Sequence, residues 1–391
     1  MMLRIKDYTK KVGSGVTPRG GAETYLDEGI PLFRSQNVTN DGFLMDDIAF
    51  ISEEVDESMK GTRVKPGDVL LNITGASIGR CYYTSDDFEH GNVNQHVCII
   101  RPKKNKVKAA YLHYCIISDI GQQQIDLTQT GANREGLAVE DIKGFTFDIP
   151  SLSEQQRIVD YLDEKLSNIK KRIDILEKQR NAYARLKKSI IHQAVTRGLN
   201  PNVPLKDSGI EWIGMIPEHW RSLHLKHCVT INNGCDYKRL ETECGIPVIG
   251  SGGQFAYVSE AMYNGEALLL GRKGTIDKPL YFNGQFWTVD TMFYAIANKH
   301  VNTKYIYYYA TFFPFNKIST ATALPSMTQT ELYQLPIMLP PLSEQQAIAN
   351  FLDEKCAKID AAIDNIGKQI DASKRLKRAL INEVITGQRA V

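Results

Sequence analysis

The sequence predicts an α+β protein in which two mixed α/β globular domains are separated by two long antiparallel coiled-coil helices. Three observations predict it. One long phrase occurs twice, PSLSEQQRIVDYLDEK at 150–165 and PPLSEQQAIANFLDEK at 340–355, an offset of 190 positions. Each copy opens a long charged stretch whose apolar residues recur at helical spacing. Each copy also follows a domain-sized stretch of short β-like runs. Solenoids and propellers repeat every 20–50 residues or so, whereas a period of 190 implies a duplicated domain.

The first predicted domain covers residues 1–149. Its β-like runs are IPLFRSQNV, GDVLLNITGASIGRCYY, HVCIIRP and FTFDIP. The third predicted domain, residues 199–339, carries GIPVIGSGGQFAYV, GEALLLGRKGTI, PLYFNGQFWTV and LPIMLP in the same order. Gly-Ile-Pro opens both series, at Gly29 and Gly245. Helical stretches such as Ala109 to Ile117 and Lys304 to Phe312 interrupt the strands, which predicts α+β domains. The segment 199–220 is rich in Pro, Gly and Asn and holds Trp212 and Trp220, so it reads as a link packed by its aromatics.

The second and fourth predicted domains, residues 150–198 and 340–391, are the helical spacers. Ser153 with Gln156, and Ser343 with Gln346, have capping-box spacing. Apolar residues then follow at steps of four and three: Leu162, Leu166, Ile169, Ile173 and Leu176 in one copy. The other gives Leu352, Cys356, Ile359, Ile363, Ile366 and Ile370. That stripe belongs to a helix packed along another helix. Its phase slips near Tyr183 and near Leu376, so a perfect coiled coil is not expected throughout. About 40 residues make a helix of roughly 60 Å. Two such helices in one chain are most simply each other's partners, with segments 153–196 and 343–386 antiparallel.

Composition narrows the function. The hydrophobic fraction of 42% and the charged fraction of 24% are those of an ordinary globular protein. No run reaches the roughly 18 apolar residues of a membrane span, and the start, MMLRIKDYTKK, has no apolar signal core. The seven cysteines form no C-x-x-C pair. They read as reduced thiols, and the expected location is the cytoplasm. Residues 1–150 carry 17 Lys+Arg against 21 Asp+Glu, and residues 201–340 carry 11 against 11, so neither globule is broadly basic. The basic excess lies on the first spacer, at 11 against 6 over residues 151–200, where a solvated helix face is the ordinary explanation. There is no phosphate loop, no dinucleotide loop and no H-E-x-x-H, and His224 with His227 lacks a third ligand for zinc. No catalytic or metal-binding residues are assigned.

What the globules do hold is polar loops beside glycines. In the first these carry Arg34, Ser35, Gln36, Asn37, Thr74, Ser77, Arg80, Asn94, Gln95, Asn133 and Arg134. In the second they carry Ser251, Gln254, Arg272, Lys273, Thr275 and Thr291. Arg pairs with guanine edges, and Asn or Gln with adenine edges. Each residue taken singly is more simply a turn former.

The duplicated Pro-x-Leu-Ser-Glu-Gln-Gln-x-Ile-x-x-(Tyr/Phe)-Leu-Asp-Glu-Lys, the run Ile-Pro-Glu-His-Trp at 216–220 and Gly-Asp-Val-Leu-Leu at 67–71 carry a resemblance. Together with the layout, they resemble the specificity subunit of type I restriction–modification systems over essentially the whole chain. The resemblance implies two target-recognition domains, each reading one half of a bipartite site on double-stranded DNA. It implies helical spacers that dock two methyltransferase subunits, with restriction/translocase subunits as further partners. Glu154, Gln155, Gln156, Glu344, Gln345 and Gln346 are the expected partner interface. Catalysis would belong to the other subunits. Those would hold S-adenosylmethionine, ATP and Mg, leaving this chain without a cofactor. The first domain lacks the Ile-Pro-x-x-Trp lead-in found before the second. The competing reading is a structural coiled-coil adaptor joining two protein-binding globules. A nuclease or methyltransferase acting alone is the weakest.

Overall fold

The structure, a computed structural model, describes residues 2–129, 136–318 and 325–391. The chain divides into two compact units, Met1–Leu176 with Gln369–Val391, and Glu177–Lys368. Two helices, Leu152–Arg197 and Leu342–Ile385, run unbroken through the division, so each unit contains one globule and a stretch of both helices.

The first unit is built on a four-stranded antiparallel sheet ordered Thr9–Ser14, Val97–Pro102, Val69–Asn72, Cys81–Tyr83. A three-stranded sheet lies beside it. Here Ile30–Phe33 pairs antiparallel with Ala49–Ile51 and parallel with Asn92–Val93. Val69–Asn72 is buried throughout, and Val97–Pro102 nearly so, as strands covered on both faces must be.

The second unit repeats this topology. Val229–Asn233, Met292–Ala297, Tyr263–Gly271 and Leu280–Thr288 stand in the same antiparallel order. Ile246–Gly250 pairs antiparallel with Gly253–Val258 and parallel with the end of Leu280–Thr288. One long strand thus does here what Cys81–Tyr83 and Asn92–Val93 do separately in the first unit.

The repeated phrase is a clamp between helices. Gln155 is fully buried: its Oε1 accepts from the Lys108 amide at 2.8 Å, and its Nε2 donates to the carbonyls of Lys106 (3.0 Å) and Pro150 (2.9 Å). Gln345 repeats this with the Asn302 amide (2.8 Å) and the carbonyls of His300 (3.2 Å) and Pro340 (2.9 Å). Each glutamine therefore fixes the start of a short helix, Ala109–Ile117 or Thr303–Ala310, against a long one. Tyrosines on the short helices complete the clamp. Tyr111 donates to the Asp148 carbonyl at 2.9 Å and Tyr305 to the Met338 carbonyl at 2.6 Å, while Tyr114 donates to Asp163 and Tyr308 to Asp353. Five hydrogen bonds from three side chains thus recur at matching positions in both units.

The expected capping boxes are not what starts the helices. Both begin one residue earlier, at Leu152 and Leu342, so Ser153 and Ser343 lie within the first turn. Ser151 Oγ accepts from the Glu154 amide at 3.3 Å, and Gln156 reaches forward to Asp160 at 2.6 Å instead of back to the cap.

The four-three stripe is buried or half-buried along its length. In the first unit Leu162 joins one core with Leu380, Ile381 and Val384. In the second, Ile191, Ala194 and Val195 share a core with Ile348, Leu352 and Cys356. Lys187 pairs with Asp360 at 2.6 Å, and Gln179–Leu186 faces Ala362–Ile366. Numbers rise along one helix as they fall along the other, so the pairing within each unit is antiparallel. Where the phase slips, apolar side chains lie outside: Tyr183 and Leu376 are 38% and 52% exposed. All seven cysteines are free, and five are buried. No metal-ligating cluster and no helix able to span a membrane occurs among the described residues.

Candidate nucleic-acid interface

Four segments meet at one end of each sheet, held by the same backbone bonds in both units. In the first, Gly15 donates to the Val97 carbonyl (2.9 Å), Val16 to Val93 (3.3 Å), Ile73 to His96 (3.0 Å) and Leu137 to Ile73 (2.9 Å). In the second, Gly234 donates to Met292 (3.0 Å), Cys235 to Thr288 (3.0 Å), Arg272 to Thr291 (2.8 Å) and Met327 to Arg272 (2.9 Å). Both junctions need a glycine. A Cβ on Gly15 would stand 2.2 Å from the Val93 oxygen, and one on Gly234 would stand 2.0 Å from the Val289 oxygen. The frame is thus the same twice, while its side chains differ. Thr74, Gln95 and His96 occupy one set of positions, and Lys273, Asp290 and Thr291 the matching set.

The frame gathers most of the residues singled out in the sequence. Thr74 Oγ1 lies 2.7 Å from His96 Nδ1, and Gln95 accepts from Thr17 and is exposed. Ser77 is half-buried and Arg80 exposed on the turn after Val69–Asn72. In the second unit Lys273, Thr275 and Thr291 are exposed, and Arg272 donates to the Asp290 carbonyl at 3.3 Å with its guanidinium 5.7 Å from the Phe293 ring. Ser251 and Gln254 lie at the hairpin next to Thr288, whose hydroxyl donates to the Ile249 carbonyl at 2.8 Å. Asn133 and Arg134 lie outside the described residues.

Several expected readers are instead bonded within their own loops, two of them buried. Asn37 is buried, accepting from the Arg34 amide (3.0 Å) and donating to the carbonyls of Leu44 (3.0 Å) and Asp47 (3.1 Å). Arg34 donates to the Asp47 carbonyl at 2.7 Å and lies 5.5 Å from the Tyr25 ring, Gln36 donates to the Asp47 carboxylate, and the Ser35 carbonyl accepts from Asn72 at 2.7 Å. Asn94 is buried and accepts from the His96 amide at 3.1 Å. Arg34, Asn37 and Asn94 build loops, because turning them outward would leave the backbone groups they bond without those partners. Sequence reading passed over Thr17, which the Gly15 junction carries to Gln95. The signal was present as a glycine following a β-like run in both copies.

The model of the type I restriction–modification DNA specificity domain matches residues 1–182 and 217–371. The chain belongs to this family. Each match spans one loop frame and the opening of the helix after it. The putative specificity subunit of the type I restriction enzyme MjaX of Methanocaldococcus jannaschii is 22% identical, over 98% of this chain and 92% of the relative. The EcoKI specificity subunit of Escherichia coli K12 is 21% identical, over 94% and 84%. A chain from a type I restriction–modification system solved for its assembly and conformational transition superposes with a TM-score of 0.76 at 14% identity, covering 98% and 97%. The HsdS subunit of Thermoanaerobacter tengcongensis gives 0.54 at 15% identity, covering 100% and 97%. Both structures share the fold.

In this specificity subunit the six expected partner residues divide by burial. Gln155 and Gln345 are buried in the clamps, which removes them from any interface. Glu344 accepts from Trp220 Nε1 at 3.1 Å and His219 Nε2 at 2.9 Å, so the Ile-Pro-Glu-His-Trp lead-in is tied to the second helix start. Glu154 and Gln346 are exposed, while Gln156 is half-buried.

Proposed function

We propose that the chain is the non-catalytic specificity subunit of a cytoplasmic type I enzyme and that each loop frame reads one half of a bipartite DNA site. The domains would be the recognition modules 1–149 and 199–339 and the spacers 150–198 and 340–391. The observation that carries this reading is the duplicated frame with unlike side chains: a fixed backbone presents Thr74 and Gln95 in one module, and Lys273 and Thr291 in the other. Side chains at base edges specify sequence, and contacts to phosphates position the protein. Thr74, Ser77, Arg80, Gln95, Ser251, Gln254, Arg272, Lys273, Thr275 and Thr291 are the proposed contacts. The helix faces bearing Glu154, Gln156 and Gln346 would dock two methyltransferase subunits, with restriction/translocase subunits joining the assembly. S-adenosylmethionine, ATP and Mg would act in those partners. Partner contacts to phosphate would offset the modest charge of the globules.

Mapping modified adenines on host DNA tests the reading. The expected pattern is two short specified sequences around an unspecified gap. Lys273→Ala should relax or weaken one half alone. Modification without sequence preference would overturn the proposal.

A further inference from the structure

Asp163 and Asp353 are the same residue of the repeated phrase, but only one meets a cation. Asp353 accepts from the Tyr308 hydroxyl at 2.8 Å and pairs with the ammonium of Lys304, which also lies 5.3 Å from the centre of the Tyr281 ring. In the first unit Asp163 accepts from Tyr114, the counterpart of Tyr308. Tyr83 stands where Tyr281 does, since Tyr83 pairs with Val69 and Tyr281 with Leu268 on matching strands. The register that aligns Tyr111 with Tyr305 and Tyr114 with Tyr308 places Ala110 at the position of Lys304. Aromatic ring and carboxylate are kept, and the ammonium is missing.

In its place is a cleft of about 450 Å³ lined by Tyr83, Ala110, Gln156, Val159, Asp160 and Asp163. Asp160 stands where the counterpart has Asn350, and Lys108 where it has Asn302. Lys104 and Lys108 also line it; Lys104 is engaged with Asp86 at 3.2 Å, and neither pairs with Asp163. Among the described residues no lysine or arginine forms an ion pair with Asp163. The field of Asp163 reaches Tyr83, whose hydroxyl is pushed up to about 12 by burial first and then by Tyr82 and Asp163.

We propose that this cleft is a cation socket for a lysine or arginine side chain of a partner protein, seated on Tyr83 and paired with Asp163. An ammonium over an aromatic face beside a carboxylate is favourable on both counts. The occupant is a protein side chain for two reasons. The second unit fills the same site with one, and the cleft opens beside Gln156 and Asp160 on the helix proposed to dock a methyltransferase subunit. The inference rests on that docking reading and adds to it that the two docking regions differ: one uses a partner's charge, and the other supplies its own.

The test uses the full chain and the methyltransferase subunit of its own system, with the two assembly steps titrated at several salt concentrations. Ala110→Lys provides the internal cation, and Asp163→Asn removes the charge while leaving Tyr114 an acceptor. Each should weaken one assembly step about tenfold and flatten its salt dependence, with the other step unchanged and the double variant no worse than either single one. Thermal melts of both variants confirm folding, and Lys304→Ala, which empties the second socket, gives an independent arm by making the second step salt-dependent. Parental affinity and salt dependence in all three variants would overturn the socket while leaving docking intact. Uptake of no methyltransferase by the parent chain would overturn the docking reading and this partner with it. Spermidine that stabilises the parent alone but not Ala110→Lys, with assembly unaffected, would show a free polyamine as the occupant and likewise overturn the proposal.

Discussion

Truncating the clamp glutamines should cost far more than their place in a charged, helical phrase implies. In Gln155→Ala the Lys108 amide loses its acceptor and the carbonyls of Lys106 and Pro150 each lose a donor. A buried unsatisfied amide costs about 1–3 kcal/mol, and a carbonyl with a second lone pair costs less. The expected loss is about 2–4 kcal/mol, against about 0.5 kcal/mol for a surface position. Gln345→Ala should cost the same, by way of the Asn302 amide and the carbonyls of His300 and Pro340. The two sites share no partners, so the double variant should show the sum. Glu is no rescue, because a carboxylate cannot donate to either carbonyl and brings a buried charge. Native-state hydrogen exchange reads each site separately: the Lys108 amide should lose protection in the first variant only, and the Asn302 amide in the second only. Costs below about 0.5 kcal/mol, or protection unchanged at both amides, would refute the clamp.

Four further outcomes are expected. Gly15→Ala and Gly234→Ala should each disturb one reading frame, lowering preference for one half-site about tenfold or more while both proteins stay folded; competition binding with DNA altered in either half checks this. Ile366→Asp, at a position 7% exposed, should destabilise the helix pair by about 3 kcal/mol or more in chemical denaturation. Replacing residues 201–339 by the equivalent region of a relative should change one half of the target, as read from modified sites, and a change in both halves would defeat independent reading. Burial drives the pKa of His113 down to about 3 from an ordinary value of 6.5. The unfolded chain therefore takes up a proton that the folded chain refuses, so stability should fall as pH drops from about 6.5 toward 3, by several kcal/mol at most, and His113→Gln should flatten that part of the profile.

The helices and their pairing were legible because two physical constraints leave marks of constant period: a buried stripe at four-three spacing and a clamp that tolerates few substitutions. The clamp residues were visible but misread. Gln155 and Gln345 sit among Glu, Arg and Asp on a solvated helix start, and nothing in the neighbouring letters says that a loop 47 residues away closes over Gln155. The equivalence of the two reading frames was hidden for a different reason. The matched positions Leu137 and Met327 differ by 190, but Val93 and Thr288 differ by 195, Ile73 and Arg272 by 199, and Phe33 and Ile249 by 216. Insertions between strands shift the register, so no single offset aligns the loops. Only the backbone bonds do.

That difference in drift follows from where each part is anchored. Tyr114 and Gln155 tie the short helix to the long one, and Tyr111 ties it to the strand ending at Asp148, at one side of the first globule, and the matching residues do so in the second. A change there unpairs buried groups in the core. The frame at the end of the sheet is held by main-chain bonds that survive almost any side chain, with glycine required at close approaches such as those of Gly15, Gly234 and Gly271. Exposed positions such as Arg80, Gln95, Lys273 and Thr291 can therefore vary at little cost to folding, while the helices below them cannot. A protein that can change its target without unfolding needs this separation: the exposed residues sit on a backbone that does not depend on them.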